Sequence, residues 1–149
     1  MRRVMMIAAV LLLVLTACGG AADANVGAPP QSQPLTQSDN AKVRQVLDDW
    51  RAAVPEVLKT HGVKAETIQQ ETFSSTASLA EVAAFYDQLT TRGWVKSTRL
   101  SSAQATSLEN GVLLTGYESG GISSFVVGAF DASKLGGEGV VVYTAKGNK

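Results

Sequence analysis

The sequence predicts an α+β domain: a mostly antiparallel meander sheet of about five strands with two helices packed on it, preceded by a disordered tether. Three observations carry the prediction. Apolar residues recur at steps of three and four over 39–61 and over 79–91, the period of an amphipathic helix. Four later stretches, 94–100, 112–117, 122–130 and 139–145, are rich in β-branched and aromatic residues and are bounded by Gly, Ser, Asn and Asp. Ahead of all of these, 18–37 holds glycines, small residues and the prolines Pro29, Pro30 and Pro34, with almost nothing apolar enough to pack.

Residues 1–17 are set apart from the fold. Arg2 and Arg3 precede an unbroken apolar run from Val4 to Leu15, well short of the roughly 20 residues that a membrane-spanning helix requires. That is the pattern of a secretory signal peptide. The run ends in Leu15-Thr16-Ala17-Cys18, which resembles the lipobox of bacterial prolipoproteins. The resemblance implies cleavage before Cys18, thioether diacylglycerylation of its sulfur, and a mature chain anchored in a membrane through that residue. An ordinary signal peptide would place a small residue where Leu15 stands, and Val4-Met5-Met6 lacks the rest of a twin-arginine signature. The expected location is extracytoplasmic, on the cell membrane or, in a two-membrane bacterium, the outer membrane, since Gly19 and not an aspartate follows the cysteine.

Cys18 is the only cysteine. With its sulfur acylated, the mature domain has no disulfide and depends on its core alone. The chain carries 13 basic and 13 acidic residues. Loss of 1–17 removes two of the bases and leaves a small acidic excess without any basic run. Nucleic acid is therefore not an expected partner.

The folded part, 38–149, reads as a single domain. Ser38 or Asp39 is placed to cap the first helix, and Val43, Val46, Leu47, Trp50, Ala53, Val54, Val57 and Leu58 share one of its faces. Pro55 predicts a kink or restart, and Gly62 a stop. Residues 65–74 read as a strand, although Ile68 and Phe73 have opposite parity, which suggests a bulge or a shallow edge strand. Ser78-Leu79-Ala80-Glu81 is a capping box for the second helix. Gly93 ends that helix and Trp94 opens the next strand. Glu118-Ser119-Gly120-Gly121 predicts a tight hairpin, and 101–110 a longer loop. Along 122–130, Phe125, Val127 and Ala129 face one way and Ile122, Val126 and Phe130 the other, so this strand is expected to be central, with helices over one face and partial cover on the second.

The run Leu79-Ala80-Glu81-Val82-Ala83-Ala84-Phe85-Tyr86, then Leu89 and Gly93-Trp94, resembles a pattern in small bacterial envelope lipoprotein domains of unknown function, where a helix carrying Phe-Tyr leads through Gly-Trp into an antiparallel sheet. The likeness spans 65–146. It implies a fold and no catalytic residues, and the long first helix is an addition to it.

Reactive constellations are not evident. His61, the only histidine, stands before the Gly62 stop, where a helix-capping role suits it. The string Gly121-Ile122-Ser123-Ser124-Phe125 misses the final glycine of a nucleophile elbow, and Gly136-Gly137-Glu138-Gly139 lacks the ending of a phosphate loop. No metal or cofactor site is expected. Glu71, Glu109, Glu118 and Asp131 are the carboxylates that a hydrolase would have to bring together in space.

Three functions follow as expectations. The leading one is a non-catalytic binding or structural module that contacts an envelope protein or wall component through a sheet face or the 101–110 loop. The second is a carrier of a small apolar ligand in a pocket between helix and sheet, with Trp50, Tyr86, Trp94, Tyr117 and Tyr143 as pocket or core aromatics. The third is the carboxylate hydrolase.

Overall fold

The computed structural model describes residues 25–101 and 108–149; the expected signal peptide, Cys18 and most of the 101–110 loop lie outside them. In chain order the elements are β1 (Ser32–Pro34), α1 (Ala41–Thr60), a 3-10 turn (Ala65–Thr67), β2 (Gln69–Ser75), α2 (Leu79–Asp87), a second 3-10 turn (Gln88–Arg92), β3 (Val95–Lys96), β4 (Val112–Ser119), β5 (Ser123–Asp131), a third 3-10 turn (Ala132–Leu135) and β6 (Val140–Asn148). All six strands form one antiparallel sheet in the order β1-β2-β6-β5-β4-β3. Strands β3 to β6 form the expected meander. Strand β2 then joins the free side of β6, with β1 beyond it as a sixth strand.

Both helices were expected on one face, but each covers a face of its own. In β5 the side chains of Phe125, Val127 and Ala129 join α2 residues Leu79, Val82 and Tyr86 in one apolar cluster. Val126 and Phe130 join α1 residues Val43, Leu47, Val54 and Leu58 in the other. Strand β6 divides likewise, Val142 with the first cluster and Val141, Tyr143 and Ala145 with the second. Two adjacent strands that carry large apolar residues at both parities need cover on both sides. The same logic removes the parity conflict at 65–74. Ile68 lies just ahead of β2 and packs on the α1 side, while Phe73 packs on the α2 side, so neither a bulge nor an edge strand is needed.

Helix α1 starts at Asn40, not at Ser38 or Asp39. Its side-chain oxygen accepts from the Lys42 and Val43 amides at 2.9 and 3.1 Å, and its side-chain amide donates to the Leu135 carbonyl at 3.1 Å. The cap thus also ties the helix to the turn after β5. The helix runs unbroken through Pro55 to Thr60. One missing backbone bond is outweighed by the burial of Val54 and Leu58 on either side of the proline. Helix α2 has its capping box, with Ser78 and Glu81 each bonded to the other's amide, and tightens to 3-10 form after Asp87. The strand expected over 94–100 pairs with β4 only at Val95 and Lys96, because residues 97–101 cross over the face of β4.

The tether expected over 18–37 is seated on the domain from Asn25 onward. Val26 is 8 % exposed and belongs to the α2-side core. Ser32, Gln33 and Pro34 pair with Ser75, Ser74 and Phe73, and the Ser75 hydroxyl donates to the Pro30 carbonyl at 2.7 Å. Three polar or proline residues carry no strand signal of their own. They are held because β2 offers an unpaired edge.

The sheet end that carries the β4–β5 turn is closed by charge. Gly120 and Gly121 take φ of 55° and 70° there, which a side chain would resist. Glu118 accepts from Lys149 at 2.6 Å and from Arg99 at 3.2 Å. The Lys149 hydrogen bond, then one from Ser97, holds its carboxyl well below the usual range, at about 2. The resulting stabilisation is fully present above the unfolded value of about 4.3 and is lost as pH falls toward about 2. Glu118→Gln is expected to lower unfolding free energy at neutral pH by about 1–2 kcal/mol, discounted for partial solvent screening. In urea titrations the variant and parent should converge as pH approaches that value; a gap unchanged at low pH would contradict the assignment.

Candidate functional site

Glycines at two interior positions shape a groove on the α1 face. At Gly128 in β5 a Cβ would meet the Trp50 ring at 2.5 to 2.9 Å, so only glycine lets the indole lie on the strand. There Trp50 packs edge-on to Phe130 with ring centroids 5.5 Å apart and against Tyr143 at 6.2 Å. At Gly116 in β4 a Cβ would overlap that of Leu100 and stand 3.0 to 3.1 Å from the Leu100 backbone. The segment after β3 can therefore press directly onto β4, helped by the Gly116 amide donating to the Ser101 hydroxyl at 3.0 Å.

Between the seated indole and this segment a groove of about 460 Å³ remains, within the usual range for ligand sites. Its walls and floor are Trp50, Ala53, Val54, Leu100, Leu114 and Val126, with Val57 at the side. Polar groups stand on its rim and are engaged with one another. Glu56 pairs with Lys59, the Thr60 hydroxyl donates to the Glu56 carbonyl at 2.9 Å, and Arg99 pairs with Glu118. His61, the remaining rim residue, caps α1 through its backbone amide. Its lining is chiefly apolar, with Glu56, Thr60, His61 and Arg99 as its polar members.

On the α2 face a cleft of about 320 Å³ lies between the 25–28 segment and strands β2, β6 and β5. Phe73 and Phe125 form its apolar part, while Gln69, Glu71, Thr144 and Lys146 give it a mixed polar wall.

Of the five aromatics expected in a pocket or core, Trp50 lines the groove and the other four are core residues. Tyr143 lies beneath Trp50 and donates its hydroxyl to the Gln70 side chain at 2.8 Å. Tyr86, Trp94 and Tyr117 surround Phe125 on the α2 side. Burial pushes the hydroxyl pKa of Tyr86, Tyr117 and Tyr143 above the usual tyrosine range, with Asp87, 3.3 Å from the Tyr117 oxygen, adding to the effect there. They stay neutral and serve packing. No family model, curated protein or solved structure matches the chain.

The four candidate carboxylates are spread over the sheet. Glu71 and Glu118 stand on strands separated by β6 and β5 and on opposite faces, and Asp131 lies at the other end of β5 from the residue opposite Glu118. Glu109 comes near Asp131 through the Gly111 carbonyl and Lys134. The Asp131 carboxylate, however, is taken up by the Ser133 amide and hydroxyl at 3.0 and 2.6 Å. Among the described residues no group of three or more His, Asp or Glu side chains is placed to hold a metal ion.

The sequence reading offered a pocket between helix and sheet with Trp50 in it but named none of the other lining residues, because these come from α1, β4, β5 and the segment between β3 and β4. The available signal was the pair Gly116 and Gly128, each in the middle of an apolar strand, where glycine marks a close approach.

Proposed function

We propose that this chain is a lipid-anchored extracytoplasmic domain, non-catalytic, that carries a small apolar ligand in the groove between α1 and strands β4 and β5. The observation that carries the proposal is the groove itself: seven apolar side chains around about 460 Å³, in a domain whose other large aromatics are spent on packing. A carrier needs an apolar floor and a polar mouth, and this groove has that composition. The membrane anchor at Cys18 rests on the sequence argument and keeps such a carrier beside a source of apolar molecules.

Trp50 supplies the test. With Trp94→Phe, Trp50 is the only indole, and a brominated medium-chain amphiphile entering the groove should quench it saturably. Ala53 lies exposed on the groove wall, so Ala53→Phe should fill the space, weaken quenching about tenfold and leave unfolding free energy within about 0.5 kcal/mol. Quenching that never saturates, or that Ala53→Phe leaves unchanged, would count against a carrier.

A further inference from the structure

We infer that the domain docks onto an anionic bilayer with the sheet end that carries the β4–β5 turn, an inference that rests on the anchor reading above. Three separate observations converge on this end.

The first is where the described chain begins. Arg92, at the end of the second 3-10 turn and three residues before β3, donates to the Asn25 carbonyl at 2.6 Å. Asn25 and Gly27 also border the cleft beside Gln69 and Lys146, the paired residues at this end of β2 and β6. From Asn25 the chain climbs to β1, which starts opposite Ser75 at the far end. The lipidated residue, Cys18, is seven residues upstream of Asn25. Whatever its conformation, that stretch spans at most about 24 Å. Strand β5 alone, with nine residues, measures about 27 Å. The far end of the domain therefore cannot reach the bilayer that holds the anchor while this end points away from it.

The second is exposed apolar surface. Val95 and Ile122 are 68 % and 66 % exposed, the two most exposed of the large apolar side chains among the described residues. Val95 pairs with Glu118 one residue before the β4–β5 turn, and Ile122 is in that turn, its carbonyl accepting from the Lys149 amide at 2.7 Å. Isolated exposed side chains are ordinary. Two at one tip, at the end from which the anchor departs, fit insertion among lipid headgroups.

The third is charge. Lys64, whose amide bonds the Asn148 carbonyl, joins Arg92, Arg99, Lys146 and Lys149 at this end, with Lys59 and Lys96 beside them; Lys59, Lys96, Arg99 and Lys149 are ion-paired to Glu56, Asp87 and Glu118. Seven bases stand here against the five acids Glu56, Glu66, Glu71, Asp87 and Glu118, while the remainder of the described chain has four bases and seven acids. No segment is basic as a run; the fold collects these residues from distant segments of the sequence. A negatively charged leaflet attracts such an end and repels the other. The groove mouth, with Thr60, His61 and Arg99, opens on the same half of the molecule, so docking would place it near the acyl region.

The test uses the full chain, matured and acylated in a bacterial host and reconstituted into phosphatidylcholine vesicles with or without phosphatidylglycerol. With Cys18 acylated, a single introduced cysteine takes an environment-sensitive fluorophore: Ile122→Cys or Val95→Cys at this end, Glu138→Cys at the other. With phosphatidylglycerol present, spin-labelled lipid should quench the probes at 122 and 95 at least threefold more than the probe at 138. Lys64→Glu or omission of phosphatidylglycerol should weaken that contrast. Equal quenching at 122 and 138 in acylated protein, or contrast indifferent to phosphatidylglycerol, overturns the docking inference and leaves the anchor standing. Intact mass without an acyl group overturns the anchor and the docking together.

Discussion

Trp94→Ala is expected to lower unfolding free energy by about 4 kcal/mol, the upper part of the range for losing a buried aromatic. Trp94 is almost fully buried and meets Phe125 at 6.2 Å, edge-on, in a cluster with Tyr86, Tyr117 and Leu89. It stands where the chain passes from the α2 layer into the sheet, so a cavity there loosens both layers. The indole nitrogen has no hydrogen-bond partner among the described residues. The loss is thus one of packing and apolar transfer, and Trp94→Phe should cost only about 1–2 kcal/mol. Urea unfolding followed by far-ultraviolet circular dichroism would measure both. An alanine variant as stable as the phenylalanine one would mean that the α2 layer is not packed as described.

Gly116→Ala is expected to cost about 3 kcal/mol, the upper end for overpacking, although one methyl group is a small change. Its Cβ would overlap Leu100 and crowd the Leu100 backbone, and backbone cannot rotate aside as a flexible side chain can. Leu100, buried beside Val126, would have to leave its seat. Stability and amphiphile binding should therefore fall together. Gly116→Ala combined with Leu100→Gly should recover part of the stability, since removing the leucine side chain removes the worst overlap. No recovery, or a single variant of normal stability, would contradict the close approach.

Features written in adjacent residues were legible in the sequence. The Ser78 and Glu81 capping box, the turn glycines Gly120 and Gly121, and the two-sided alternation of Phe125, Val126 and Val127 each depend on local geometry. The α+β class and the antiparallel meander follow from them. Features that depend on a distant partner were not legible. Ser32-Gln33-Pro34 becomes a strand only because β2 needs a neighbour, and 97–101 leaves the sheet because Gly116 admits Leu100 above β4. The division of the helices between two faces was half legible, since β5 and β6 are apolar at both parities, but nothing local assigns α1 to one side. Of the five aromatics, Trp50 differs from the rest only through Gly128, 78 positions later.

The position of β6 governs how the chain acquires this structure. The last strand in sequence lies inside the sheet, between β2 and β5, and its alternate residues supply both apolar clusters. A chain that emerges N-terminus first, whether from a ribosome or through a translocation pore, can join β2 to the meander only after β6 is out. Helices α1 and α2 can flicker on the nascent chain, but their apolar faces have no closed sheet to settle on. Closure of the sheet is thereby postponed until β6 has emerged, and until then both apolar clusters stay incomplete.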